Sequence, residues 1–463
     1  MELPPWLDAR GNPARKMSTP EQSQVDQPEE GPEESPAVPP LLGAPRTSFG
    51  ELITTAEQLE QAVEELASGE GDIALDAERA SGYRYSQRAY LIQIHRRKGG
   101  LHLIDPIPFI QGDIARVQQA FAPLNAVIQS ALVIIHASSQ DLPCLREVGL
   151  EPRQIFDTEV AARIAGFPRV GLGALTEGLL NLRLAKEHSA VDWSIRPLHH
   201  DWLIYAALDV DVLIDLKDEV VRALKERSKL EWAIQESQAL LDAPPPVPRK
   251  DPWRRTSGIH QIKRPEQLAI IRELWSTRDE LARERDVAPG RLVNDRALVN
   301  LAIKAPHSLS QLASLPAWKK ESARWWSALE RARANPTVSK APALPGPPTH
   351  LRIWKDRAPV AYARLTHARA RLAEAATTHT LPAENLLAPE LVRRFCWEDP
   401  PSGGRSEVEV AQFLRAAGAR PWQVALTSAL LLSIENEREP LIPPPDEPLP
   451  QDEGAESGVS DLS

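Results

Sequence analysis

The run Ile73-Ala74-Leu75-Asp76-Ala77-Glu78-Arg79 decides how this chain is read. Three successive apolar residues predict a buried β-strand. Strand side chains alternate between faces, so Asp76 and Glu78, at i and i+2, leave the same face of a sheet. Two adjacent carboxylates repel each other unless a cation stands between them. A solvated strand end would also tolerate the pair. Asp-x-Glu alone therefore defines no site, and the reading turns on what else the chain brings near it.

Working outward, Thr55 to Leu66 predicts a helix before the strand, and Tyr90–Ile94 and Leu101–Ile104 predict strands after it. Ile114 to Gln129 has helical spacing. Leu132-Val133-Ile134-Ile135 is a further buried strand, followed by the polar loop His136-Ala137-Ser138-Ser139-Gln140 and by Asp141. Asp141 is expected at a helix start, where capping and the helix dipole favour an acid. Helices dominate from Leu142 to about Leu240. Within them, Tyr205 and Asp209 are i and i+4, on one face and one turn apart. Asp209 is embedded in apolar sequence, and a buried carboxylate is costly unless paired or metal-bound. Asp211 and Asp215 fall on other faces and are expected toward solvent or as caps. The whole is an α/β pattern with a mixed sheet.

In order and spacing, Asp76-Ala77-Glu78, His136 to Leu142, and Tyr205-Ala206-Ala207-Leu208-Asp209 resemble the three motifs of the DEDD exonuclease superfamily in its tyrosine branch, and within it the ribonuclease D family. Asp192-Trp193-Ser194-Ile195-Arg196-Pro197-Leu198, ahead of the third motif, supports the resemblance. Leu274-Trp275 through Arg278-Asp279, then Ala282 to Asp286 and Ala288-Pro289, look like the helicase-and-RNase-D C-terminal (HRDC) domain. The likeness covers roughly residues 50–335, with a weaker echo in 350–433. It implies an α/β ribonuclease H-like exonuclease domain, a mixed sheet flanked by helices, followed by two small all-α, HRDC-like bundles.

The resemblance also implies chemistry. Asp76, Glu78, Asp141 and Asp209 would hold two divalent ions, and hard oxygen ligands select Mg²⁺ or Mn²⁺. Asp76 would bridge both ions, Glu78 and Asp209 would complete the site that activates water, and Asp141 would hold the second ion partly through water. Tyr205, with an ordinary pKa of ~10, is a poor base and would orient the attacking water beside Glu78. Arg79 departs from the family, which commonly carries a bulky apolar residue there; it could contact a phosphate or balance the acids. Gln93, Lys186, His188, Trp193 and Arg196 are further candidates for substrate contact. For Gln93, an ordinary edge or surface position is equally compatible. His136 reads as structural, and His199-His200 as caps of the following helix.

The rest of the chain divides by composition. Expected boundaries are a Pro-rich acidic tail at 1–48, the exonuclease domain at 49–242, a linker at 243–258, and the HRDC domain at 259–335. A Pro-rich linker at 336–349, a second HRDC-like bundle at 350–434 and an acidic tail at 435–463 follow. Residues 1–48 hold ten prolines and few large apolar residues, so disorder is expected there and in the C-terminal tail. Net charge is −10, but residues 434–463 carry 1 basic against 9 acidic residues, while 225–340 carry 22 against 14. The acidity is in the tails and a basic segment sits mid-chain, which suits a phosphate-bearing partner. There Arg278, Arg283, Arg285, Arg291, Arg296, Lys319, Lys320 and Arg324 are interleaved with Trp275, Trp318, Trp325 and Trp326. The basic residues are the better RNA candidates, and most of the tryptophans read as core.

The 2 cysteines, Cys144 and Cys396, support neither a disulfide framework nor a four-ligand zinc site. No apolar run approaches the ~18 residues of a membrane span, and the N-terminus lacks a signal-peptide layout. A soluble, cytoplasmic protein is expected. The leading functional reading is a 3′→5′ exoribonuclease acting on RNA 3′ ends, such as tRNA precursors or other small structured RNAs. The alternatives are a DNA exonuclease and a non-catalytic RNA-binding protein. The latter would predict loss of a carboxylate, yet all four acids and the tyrosine are in place.

Overall fold

The computed structural model describes residues 38–435, apart from 111–112, 186–190, 246, 340–345 and 400–403. Its centre is a five-stranded sheet of β2 (Glu70–Arg79), β3 (Ala89–Arg97), β4 (Gly100–Ile104), β5 (Val133–Ile135) and β6 (Ile155–Asp157), in the order β4-β3-β2-β5-β6. β2–β3 and β3–β4 are antiparallel, whereas β2–β5 and β5–β6 are parallel. The sheet is therefore mixed, with the acid-bearing strand at its middle.

Alternation along β2 sorts its side chains into two layers. Ile73, Leu75 and Ala77 join Ile92 and Ile94 of β3 against Leu59, Leu66, Val117, Phe121 and Leu124. Those last five come from the helices Ala56–Ser68 and Ile114–Ile128. A capping box fixes the start of the first of these: Thr55 accepts from the Gln58 backbone, and the Gln58 side chain reaches back. The opposite face of β2 presents Ala74, Asp76 and Glu78 to the helix His200–Asp211, whose Ala206, Ala207 and Val210 are buried. Small residues at that contact let the helix lie close enough to bring Asp209 to the strand.

The expected strands are present, with β2 longer at both ends than its apolar run. β6 was not anticipated, because Ile155-Phe156 is too short an apolar run to signal a strand. Residues 38–48, expected in a disordered tail, are ordered. Among them β1 (Leu41–Leu42) pairs in parallel with β7 (Arg183–Leu184). Arg46 and Thr47 then bond Asp211: both backbone N–H groups and the Arg46 Nε donate to its carboxylate at 2.9–3.0 Å. Asp211, expected toward solvent or as a cap, is consequently buried. Burial pushes its carboxyl up, but these bonds outweigh burial and hold it below the ordinary range.

Residues 253–334 form a helical bundle around Trp253, Leu274, Leu281, Trp318, Trp325 and Leu329. Trp318 and Trp325 are core, as expected. Arg278, an RNA candidate, is instead buried and paired with Asp295 at 2.7 Å. The last helices, including Pro359–Thr378 and Pro421–Glu435, do not close a separate core. Their apolar residues are continuous with the layer over the sheet. There Trp422 stacks on Trp232 with centroids 4.9 Å apart and donates its indole N–H to Glu236 at 3.0 Å. Among the described residues, no helix is long and apolar enough to cross a membrane.

Candidate active site

The C-terminal half of β2 carries Asp76 and Glu78 into a cleft of about 1060 Å³. Asp209 arrives from the His200–Asp211 helix, Tyr205 from one turn earlier, and Asp141 from the loop after β5, all lining the same cleft. Carboxylate oxygens of Asp76, Glu78 and Asp209 lie within 4.8 Å of one another. Asp141 is 6% exposed and precedes the helix Leu142–Glu147, as its capping chemistry predicted, yet its side chain makes no cap hydrogen bond. Its carboxylate is therefore left to the cleft.

The electrostatics follow from crowding like charges away from water. Burial pushes the Glu78 carboxyl well up, and repulsion from Asp76, Asp209 and Asp141 adds to it. Asp209 is driven well up by burial and then by Asp76. Asp141 is pushed up to about 9, again by burial first and Asp76 second. Burial also raises the Asp76 carboxyl, partly offset by the bond from the Ala77 N–H at 2.8 Å. An anionic cluster this crowded retains protons unless a cation replaces them. The donors are all hard carboxylate oxygens, which fits a divalent cation of the oxygen-seeking class and not a thiolate- or imidazole-bound metal.

Neighbouring groups set the loop that carries Asp141. Asp157, at the end of β6, accepts from the Ser138 N–H and Oγ, both at 2.7 Å. It also accepts from the N–H groups of Ala137, Glu159 and Val160. Ala137 sits at φ +57°, a left-handed conformation held by these bonds. His136 bonds the Thr158 hydroxyl at 2.9 Å, as befits a structural histidine. Asp157 was missed at the sequence level because it lies two apolar residues into a strand that gave no signal.

Of the remaining candidates, Arg79 lines the cleft and its Nη2 donates to Gln140 Oε1 at 3.0 Å, joining the two acid-bearing segments. Lys186 and His188 lie outside the described residues. Gln93 and Trp193, candidates for substrate contact, are buried, and Arg196, partly exposed, is paired within the fold. Gln93 is fully buried opposite Asp76 in the β2–β3 register, and neither of its amide atoms has a hydrogen-bond partner. Trp193 is 1% exposed, edge-on to Trp202. Arg196 is bound to Asp105 at 2.6 and 2.8 Å and to the carbonyls of Trp193 and Tyr90. Two cleft residues not singled out for the site, Tyr83 and Leu172, come from segments without a motif.

A mixed sheet with four clustered acids at the floor of an open cleft defines a nuclease that works with divalent metal. Comparison with known proteins agrees. A family model described as 3′-5′ exonuclease matches residues 51–225, an HRDC domain model matches 267–324, and a 3′ to 5′ exonuclease C-terminal domain model matches 346–434. Ribonuclease D of Cronobacter turicensis is 31% identical over 57% of this chain and 70% of its own. That of Acidiphilium cryptum is 29% identical over 81% and 95%. With ribonuclease D of Nitrobacter hamburgensis the identity is 32%, over 42% of this chain and only 52% of that one. Among solved structures, a protein from Bifidobacterium adolescentis is similar with TM-score 0.77 and 36% identity, covering 86% of this chain and 100% of that one. Escherichia coli RNase D, an exoribonuclease involved in structured RNA processing, gives TM-score 0.58 and 25% identity over 84% and 99%. The chain belongs to the ribonuclease D family, and its activity is that of a 3′→5′ exoribonuclease.

Proposed function

We propose that this enzyme trims the 3′ ends of tRNA precursors or other small structured RNAs, releasing nucleoside 5′-monophosphates with Mg²⁺ or Mn²⁺ as cofactor. The observation that carries the reading is the meeting of Asp76, Glu78 and Asp209 oxygens within 4.8 Å, beside the buried Asp141. Those four acids would hold the ions. When bound, such ions neutralise charge on the scissile phosphate and make water nucleophilic at neutral pH.

The chain's own residues have separable parts in this. Burial, then Asp209, pushes the Tyr205 phenol up, so at neutral pH it keeps its proton. It serves as a hydrogen-bond donor that orients water or phosphate and cannot act as a base. Arg79, beside Glu78, offers a guanidinium to phosphate while its bond to Gln140 holds it at the cleft wall.

End-labelled RNA tests the reading. In the presence of Mg²⁺, 3′-labelled RNA should yield labelled mononucleotide from the first time point while 5′-labelled RNA shortens stepwise, and EDTA should stop both. Faster digestion of a DNA oligomer of equal sequence would move the substrate class, and internal cuts would remove the polarity.

A further inference from the structure

The segment that follows the acid-bearing strand is shaped from outside the exonuclease domain. Residues 80–88 leave β2 directly after Arg79, and Ser81, Gly82 and Tyr83 form one wall of the cleft. The first helical bundle grips this segment at four points. The Ala288 N–H donates to the Tyr83 carbonyl at 2.9 Å, and Arg291 Nε donates to the Gly82 carbonyl at 2.8 Å. Tyr85 Oη donates to Asp279 at 3.1 Å, and the Ser86 N–H to Asp286 at 2.8 Å.

Arg291 itself reaches the cavity that holds the acids. Its guanidinium carbon lies 3.9 Å from the centroid of the Tyr83 ring, and the residue is exposed. Most other bundle arginines singled out by charge are neutralised: Arg278 by Asp295, Arg283 by Asp279, Arg285 by Glu321 and Arg324 by Glu284. Among the described residues, no carboxylate pairs with Arg291. It therefore brings an uncompensated charge to a cleft floored with acids. Its Nε is spent on Gly82, which fixes the direction of the fork. A guanidinium held over an aromatic ring at the wall of a channel is the chemistry that grips a phosphodiester backbone.

We propose that Arg291, seated on Tyr83, binds a backbone phosphate of the single-stranded RNA segment upstream of the scissile bond. The HRDC bundle is then a wall of the exonuclease channel. This rests on the exoribonuclease reading above. The test compares two substrates with the full-length enzyme and Mn²⁺: a single-stranded RNA 12-mer, and p-nitrophenyl thymidine 5′-phosphate, which has no upstream nucleotide. Arg291→Ala should raise KM for the 12-mer by about tenfold with kcat within about twofold, and lower the slope of log KM against log salt by about 1. Arg291→Glu should do worse and Arg291→Lys should recover part of the loss. All three should hydrolyse the mononucleotide ester like wild type. An Arg291→Ala enzyme within twofold of wild type on the 12-mer overturns the proposal. So does an equal loss on both substrates, which would place the effect on the acids through the 80–88 segment. Failure of the wild-type enzyme itself to digest the 12-mer would instead sink the exoribonuclease reading.

Discussion

At the scale of single residues, the acid cluster trades stability for chemistry. Glu78, Asp141 and Asp209 all have folded-state pKa values raised above those of the unfolded chain, Asp141 to about 9. Between the ordinary carboxylate range and those raised values the folded protein holds more protons than the unfolded one. Their contribution is thus fully present at low pH and lost as pH rises. Metal-free enzyme should therefore show a melting temperature that falls from pH 5 to pH 9, measured by scanning calorimetry, and added Mn²⁺ should flatten that fall. Asp141→Asn should raise the metal-free melting temperature at pH 8 by about 2–4 °C, because it replaces a carboxyl that the folded state must hold protonated, and removes no capping bond. The same substitution should cut kcat by at least about a hundredfold, on the scale of a lost catalytic electrostatic contact. A lower melting temperature would mean that Asp141 has a structural partner. Gln93 argues in the other direction. Its two polar atoms are unpartnered and buried, so Gln93→Leu should hold or raise stability in urea unfolding.

At the scale of elements, the helix His200–Asp211 is the one that must be held in place, since it carries both Tyr205 and Asp209. Small residues seat it on β2 and β3, and the segment around Arg46 ties its end. Asp211 has a side chain only 1% exposed, and Arg46 bonds it through side chain and backbone. Arg46→Ala leaves that carboxylate short of partners and should cost about 1–3 kcal/mol in urea unfolding. Adding Asp211→Asn should recover part of the loss, whereas additive losses would show that the two residues act separately. The sequence made the helix and its Tyr-x-x-x-Asp face plain, because an acid inside an apolar helical run is a strong signal. It hid the tie, because Ala44-Pro45-Arg46-Thr47 has the composition of a loose tail, and only tertiary hydrogen bonds order it. The same limit explains Arg196 and Trp193. Both stand beside the third motif in sequence, but a long-range partner, Asp105, and burial against Trp202 decide their roles. Local pattern locates the acids because each sits at a strand end, a helix start or a helix face. It does not report which arginine is spent inside the fold.

At the scale of the molecule, the helical C-terminal half is part of the enzyme's architecture. The bundle after residue 252 meets the 80–88 segment, and the helices after 350 share the apolar layer that backs the active-site helix. Composition suggested independent bundles separated by proline-rich linkers. The first bundle keeps a core of its own and meets the exonuclease domain through polar bonds, whereas the apolar faces of the helices after 350 close on the exonuclease core. Trp422→Ala should therefore destabilise the exonuclease sheet as well as its own helices, by about 3–5 kcal/mol. Hydrogen exchange should show protection falling in β2 and β5 together with the Pro421–Glu435 helix. Loss confined to that helix would mark it as a separate unit.

Acids distant in sequence converge in the fold, where they would hold hard divalent cations. Titration of the metal-free protein with Mn²⁺ at pH 7.5, followed by electron paramagnetic resonance of the free ion, tests this most directly. Wild type should take up two Mn²⁺ per chain, and Asp76→Asn and Asp209→Asn should each lose at least one while remaining folded. Uptake unchanged in both variants would contradict the claim.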